Sequence, residues 1–191
     1  ITFYNLDGDE IEKELKTVEW DAEAAEKAGY EHFMIKEIHE QPKAVSDTLN
    51  SVVKDGAIDL SEVGLSEEEI KEISQIYIVA CGSAYHVGVA AQYVMEDLAR
   101  IPVRVELASE FRYRNPILDP KGLVIIISQS GETADSLAAL RESKKQGVKT
   151  LGIVNVIGSS IAREADNVFY TLAGPEIAVA TTKAYSTQLI A

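Results

Sequence analysis

The chain has 191 residues, of which 46% are apolar, enough to bury a core in one domain with an appendage. Its net charge is −13 and the excess sits at one end, where residues 1–75 carry 20 of the 31 acids and 7 of the 18 bases; neither half offers the clustered basic face of a nucleic-acid binder. No apolar run reaches the roughly 18 residues of a membrane span, no leader pattern is visible, one cysteine allows no internal disulfide, and the scattered His32, His39 and His86 offer no metal-ligand spacing, so a cytoplasmic protein without metal or other cofactor is expected.

Residues 1–20 open with the alternating stretch Ile1–Leu6, a turn at Asp7-Gly8-Asp9 and a second alternating stretch to about Val18, which together read as a hairpin too small to fold alone. Residues 21–41 are acidic with interspersed aromatics and read as a linker. Pro42 then opens a short helix with Val45, Leu49, Val52 and Val53 at helical spacing, ended by Gly56. Ser66 is an N-cap followed by three acids. Residues 21–74 are thus linker and leading helices, and 75–191 the main domain.

From Ile76 the pattern changes. Apolar runs at 76–80, 103–107, 123–127, 150–154 and 168–172 read as five strands, the first typical of a strand buried on both faces. Between them lie a helix with Val87, Ala90, Ala91, Val94 and Leu98 on an inward stripe, a helix over about 132–146 with Leu137, Ala139 and Leu140 inward and Gly147 as C-cap, and a short helix near 159–165. The alternation predicts a three-layer α/β/α domain with a five-stranded parallel sheet in the flavodoxin-like order 2-1-3-4-5. The last ten residues form an apolar helical pattern without a stop signal, and with Ile1 at the start this suggests a piece of a longer protein.

In such a sheet, ligands sit beyond the strand ends where strand order reverses, between the first and third strands. Two small polar turns fall there, Cys81-Gly82-Ser83-Ala84-Tyr85 and Ser128-Gln129-Ser130-Gly131-Glu132-Thr133, each leading into a helix. A helix N-terminus carries about half a positive charge and unpaired N–H donors, which suits phosphate. Ser128, Ser130 and Thr133 add hydroxyls, and neither turn contains Lys or Arg. The same residues also suit plain helix capping and tight turns. Cys81 reads as a structural thiol, His86 as a surface histidine, and Phe111-Arg112-Tyr113-Arg114 as either surface packing or a sugar or partner contact. Glu176 and Lys183 fit either an acid/base pair or separate ion-pairing roles.

The segments Ala80–His86, Ala108–Arg112, Ser128–Asp135 and Gly174–Ala184 resemble the sugar isomerase (SIS) domain family. The chain looks most like the first SIS half of the isomerising glutamine–fructose-6-phosphate aminotransferases, to which Pro175–Ala184 and the stretch His32–Pro42, similar to their interdomain linker, point; residues 1–20 are similar to the end of their glutaminase domain. The resemblance implies a SIS fold, a cytoplasmic homodimer packed through SIS helices, and fructose 6-phosphate or glucosamine 6-phosphate as ligand. It implies that Ser128, Gln129, Ser130 and Thr133 hold the phosphate, that Cys81, Gly82 and Ser83 line the sugar site, and that Val179 and Thr181 contact the sugar partly through backbone atoms. Ala84 stands where the family usually has a serine, and the family's catalytic base, ring-opening histidine and sugar-contacting lysine lie in a second half, so binding without turnover is expected. A non-catalytic SIS sugar-phosphate sensor, and a SIS deglycase or isomerase of amino-sugar phosphates, are the alternatives; a sensor would carry a DNA-binding helix-turn-helix where residues 1–41 have an acidic hairpin and linker.

Overall fold

The computed structural model describes residues 2–12 and 26–191. Near the start, β1 (Phe3–Tyr4) pairs antiparallel with β2 (Glu10–Ile11) across the expected turn, where the Asn5 side chain accepts the N–H groups of Asp7 and Asp9 at 3.0 and 2.8 Å. The expected run of the second strand to Val18 and the first residues of the acidic stretch, 21–25, lie outside the described residues.

The expected helix start at Pro42 is corrected by α1 (Phe33–Asn50), which begins well before that proline and runs through it. A mid-helix proline removes the N–H that would bond the carbonyl four residues back. Here the Gln41 side-chain amide donates to that carbonyl, Ile38 O, at 3.4 Å. The helix is held on both sides of the proline by tertiary bonds, from Glu37 and Glu40 before it and Thr48 after it, to residues 172–183. Val52 and Val53 fall outside the helix; a small hairpin of β3 (Val53–Lys54) and β4 (Ala57–Ile58) follows, with Asp55 and Gly56 both at positive φ in its two-residue turn. A single 3-10 turn at Ser61–Val63 leads to α2 (Glu67–Glu72).

The main sheet contains β5 (Gln75–Ala80), β6 (Val103–Leu107), β7 (Gly122–Ser128), β8 (Lys149–Val154) and β9 (Asn167–Tyr170) in the order β6-β5-β7-β8-β9, all parallel. In chain order this is 2-1-3-4-5, as the alternation of strands and helices implies. Side chains alternate across the pleat. Ile76, Ile78 and Ala80 of β5 and Leu123, Ile125 and Ile127 of β7 face one layer; Tyr77, Val79, Val124 and Ile126 face the other. The first layer contains α3 (Gly82–Ala99) and Tyr185 of α7 (Lys183–Ile190). The second contains α4 (Ala108–Tyr113), α5 (Ala134–Lys145) and α6 (Ser160–Glu164), packed through Phe111, Ala139, Leu140 and Ile161.

Two details depart from the sequence reading. The short helix α4 begins directly at the end of β6 and was not foreseen. On α3 the inward stripe is Val87, Gly88, Ala91 and Met95, and Gly88 is required there because a Cβ would meet Ile78 at 2.7 Å. Val94 and Leu98, expected inward, are 57% and 78% exposed. Among the described residues no helix is long and apolar enough to cross a membrane.

Charge also ties the leading segment to the sheet. Ser66 and Glu69 form a reciprocal capping box on α2, and the Lys149 ammonium at the start of β8 donates to Glu69. That ammonium, then the Ser66 N–H and hydroxyl, hold the Glu69 carboxyl down to about 2 from an ordinary 4.5. A depressed folded-state pKa gives stability that is present above 4.5 and lost as pH falls towards 2. In Glu69→Gln, melting temperature is therefore expected to fall less steeply across that acid window than in the unaltered chain; an identical slope in thermal melts at stepped pH counts against the assignment.

Candidate functional site

Strand order reverses at β5. The chain leaves β5 for β6 on one side and returns to β7 on the other, so the turns after β5 and β7 lie next to one another, with Ala80 and Ile127 in register. Together they form a pocket of about 260 Å³ lined by Cys81, Ser83, Ala84, Ile127, Ser128, Gln129, Ser130, Thr133, Thr181 and Gln188. Seven of the sequence-predicted site residues, Thr181 among them, thus meet in one cleft. Gly82 lies between two lining residues, at φ +57 with open space where a Cβ would be, and is not itself part of the wall. Val179 also lies outside the wall, with its side chain fully exposed.

The N-cap residues are Cys81 for α3 and Thr133 for α5, and neither helix receives a side-chain capping bond. The serines serve the turn. Ser128 Oγ accepts the Gly131 N–H at 3.1 Å and shares a hydrogen bond with Thr133 Oγ1 at 3.0 Å. Ser130 Oγ accepts the Glu132 N–H at 3.2 Å. A hydroxyl that accepts a bond still has its own hydrogen to donate. The first-turn N–H groups of an 18-residue and a 12-residue helix therefore open beside hydroxyl donors, with no full positive charge among the lining residues.

The acids nearby are directed elsewhere. The Glu132 carboxylate accepts the Ser160 N–H at 2.7 Å, and hydrogen bonds from the Ser160 hydroxyl and N–H hold its carboxyl below the usual range. Asp135, in the first turn of α5, is ion-paired with Arg112 at 2.6 Å. Gly131 sits at φ +65, and a Cβ there would fall 2.0 Å from Ser159 Oγ, so α6 closes directly over the turn. The Gly131 carbonyl accepts the Ile161 N–H at 3.0 Å.

Other sequence candidates have different partners. Cys81 is half-buried and accepts a long contact from the Ser136 hydroxyl at 3.9 Å. His86 is exposed and stacks edge-on with Tyr85 at 5.3 Å. In the 111–114 segment Phe111 is core, and Arg114 forms a two-pronged pair with Glu106. Glu176 and Lys183 do not pair with each other as an acid/base couple. Glu176 accepts the N–H groups of Thr182 and Ala184 at 2.7 and 3.3 Å, and Lys183 donates to Glu40 at 2.7 Å.

Two contributors went unread in the sequence. Gln188 reaches the pocket from the buried face of α7, where its signal was a polar residue beside buried Ala184 and Thr187. Asn155 joins the two sides behind the wall. Its N–H donates to Gln129 O at 3.1 Å, and its side chain bonds Gly174 O at 2.8 Å and the Ala173 N–H at 3.0 Å. No local pattern announces that role. A larger cavity of about 600 Å³ lies at 58–70, but its charged lining groups are the carboxylates Asp59 and Glu67, which oppose an anion.

Comparison with known proteins agrees with the fold. The chain is 59% identical over 191 residues to the glutamine–fructose-6-phosphate aminotransferase (isomerizing) of Clostridium acetobutylicum, and 59% identical over 192 residues to that of Caldanaerobacter subterraneus. All of this chain is matched in both, but it spans only 31% and 32% of those relatives' lengths. Among solved structures, the C-terminal domain of glucosamine-fructose-6-phosphate aminotransferase from Francisella tularensis is 49% identical with a TM-score of 0.83, covering 87% of this chain and 46% of that one. The sugar isomerase domain of an RpiR transcription factor from Sphaerobacter thermophilus, 21% identical with a TM-score of 0.63, shares the fold. The SIS domain family matches residues 69–191, which contain the whole parallel sheet and every lining residue of the pocket, and the chain belongs to that family.

Proposed function

We propose that this chain is the sugar-phosphate-binding half of the isomerase domain of an enzyme that makes glucosamine 6-phosphate from fructose 6-phosphate and glutamine. The observation that carries the reading is the cleft at the sheet reversal, where two uncapped helix N-termini and a cluster of hydroxyls converge without a carboxylate. Support also comes from the similarity to the aminotransferases, whose match covers the whole of this chain at 59% identity.

In this reading the phosphate sits against the 128–133 turn. Ser130 and Thr133 donate hydroxyl hydrogens, Gln129 adds its amide, and Ser128 donates through Thr133 or directly. Ala84 has no hydroxyl to offer, so its N–H in the first turn of α3 takes that place. Cys81, Gly82 and Ser83 follow the sugar, and Thr181 closes the far side with the Val179 backbone beside it. Helix dipoles and neutral donors balance the anion's charge. Moving a proton between C1 and C2 of a sugar needs a positioned acid or base. Cys81 has the one titratable side chain among the lining residues, so the chain binds its ligand without turning it over.

The same reading extends to assembly. Tyr93, Val94 and Leu98 leave an apolar face on α3 that is 69%, 57% and 78% exposed, and a second copy of this chain would cover it in a homodimer.

Three outcomes are expected. In calorimetric titration, fructose 6-phosphate binds and unphosphorylated fructose does not. Thr133→Val or Ser130→Ala weakens the phosphorylated sugar by about tenfold or more, the loss of a charge-assisted hydrogen bond of about 1.5–3 kcal/mol. Equal heats from both sugars, or unchanged affinity in both variants, refute the phosphate assignment. Second, Gly131→Ala forces a Cβ into Ser159 and a strained φ, costing about 1–3 kcal/mol in denaturant unfolding and abolishing the phosphate response; Ser159→Gly in the same chain recovers part of the stability but not the strain. Third, light scattering shows concentration-dependent dimers that Leu98→Glu dissociates. A monomer at every concentration removes the dimer from the proposal.

A further inference from the structure

Upstream of the family match, α1 carries a carboxylate that the pocket alone does not explain. Glu37 is 2% exposed, yet it serves a loop far along the chain. Its Oε1 accepts the N–H groups of Ile177 and Ala178 at 2.7 and 3.1 Å, and its Oε2 faces the Thr182 hydroxyl at 3.5 Å. Glu176 completes the clasp from inside the loop. Its Oε1 accepts the Thr182 N–H and hydroxyl at 2.7 and 3.1 Å, and its Oε2 accepts the Thr181 hydroxyl at 3.3 Å. One turn along α1 from Glu37, Glu40 takes the buried Lys183 ammonium, and Gln41 takes the Ser186 hydroxyl.

Loop N–H groups shielded from water need acceptors, and a carboxylate supplies charge-assisted ones. The loop between β9 and α7 belongs to no sheet ladder, so its path depends on such bonds. Thr181, which lines the pocket together with the 128–133 turn, stands between Glu176, whose carboxylate it bonds, and Thr182, which both carboxylates reach.

We propose that Glu37 is a positioning residue for the pocket: from α1 it fixes the 174–182 loop and so sets Thr181 as the wall that closes on the sugar. The proposal rests on the reading of the pocket as a sugar-phosphate site. It separates two parts of the ligand. The phosphate belongs to the 128–133 turn, which Glu37 does not touch, and the sugar body belongs to the wall it holds.

The test uses the full chain with Glu37→Ala, Glu37→Gln and Glu37→Asp, read by hydrogen exchange and by titration with inorganic phosphate and with fructose 6-phosphate. In Glu37→Ala, amides of 176–182 are expected to exchange at least about tenfold faster while β5, β7 and β8 keep their protection. Fructose 6-phosphate affinity falls about tenfold, and inorganic phosphate stays within about twofold. Glu37→Gln retains the side-chain oxygen that accepts both loop N–H groups and recovers most of each effect. Glu37→Asp keeps the charge but is one methylene too short and behaves like Glu37→Ala. Should Glu37→Ala not fold, the Gln and Asp variants decide between reach and charge. Unchanged loop exchange and sugar-phosphate affinity overturn the proposal. So does parallel loss of both ligands with faster exchange throughout the sheet, which marks Glu37 as a general stabiliser. If the unaltered chain binds neither ligand, the pocket reading fails by itself, and the exchange measurements alone decide whether Glu37 holds the loop.

Discussion

The candidate site depends on one topological constraint, the reversal of strand order at β5. Because β6 and β7 flank β5 on opposite sides, two helices must begin side by side at the same edge. Each brings first-turn N–H groups that no side chain caps. Such donors need water or a ligand as partners. The rest of the local sequence is arranged around keeping that corner open and electropositive. Gly131 lets the turn pass under α6, Glu132 is drawn off to the start of α6, and Arg112 neutralises Asp135.

The sheet and both turns were legible because their causes are local. A run such as Leu123–Ile127 is apolar on both faces, which only a strand covered by two layers needs. Short polar turns between such runs and helices then fall at the strand ends by necessity. The α3 stripe was misread for a related reason. That helix is apolar around much of its girth, so periodicity alone did not tell the face carrying Gly88 and Met95 from the face carrying Val94 and Leu98. Close approach to Ile78 and Val105 at Gly88 is what decides the orientation, and it is a property of the neighbours.

The leading segment was the least legible part. Its acids and aromatics suggested a linker that packs against neighbours, and Pro42 suggested a helix start. Glu37 and Glu40 are consumed in tertiary contacts with residues 177–183, and Gln41 shares in both the proline's missing bond and the contact with Ser186. Partners so distant in sequence leave no periodic trace. Asn155 and Gln188 were missed on the same account, since each acquires its role only when separate strands and helices meet.

The polar seam between α1 and α7 bears on where the folding unit starts. The family match begins at residue 69, downstream of α1. Lys183, 3% exposed, has its counter-ion on α1, so an excision at residue 69 would strand a desolvated ammonium and unzip the underside of the last helix. The contacts that seat the last helix therefore extend the packed unit beyond the stretch that defines the family by sequence, back to α1.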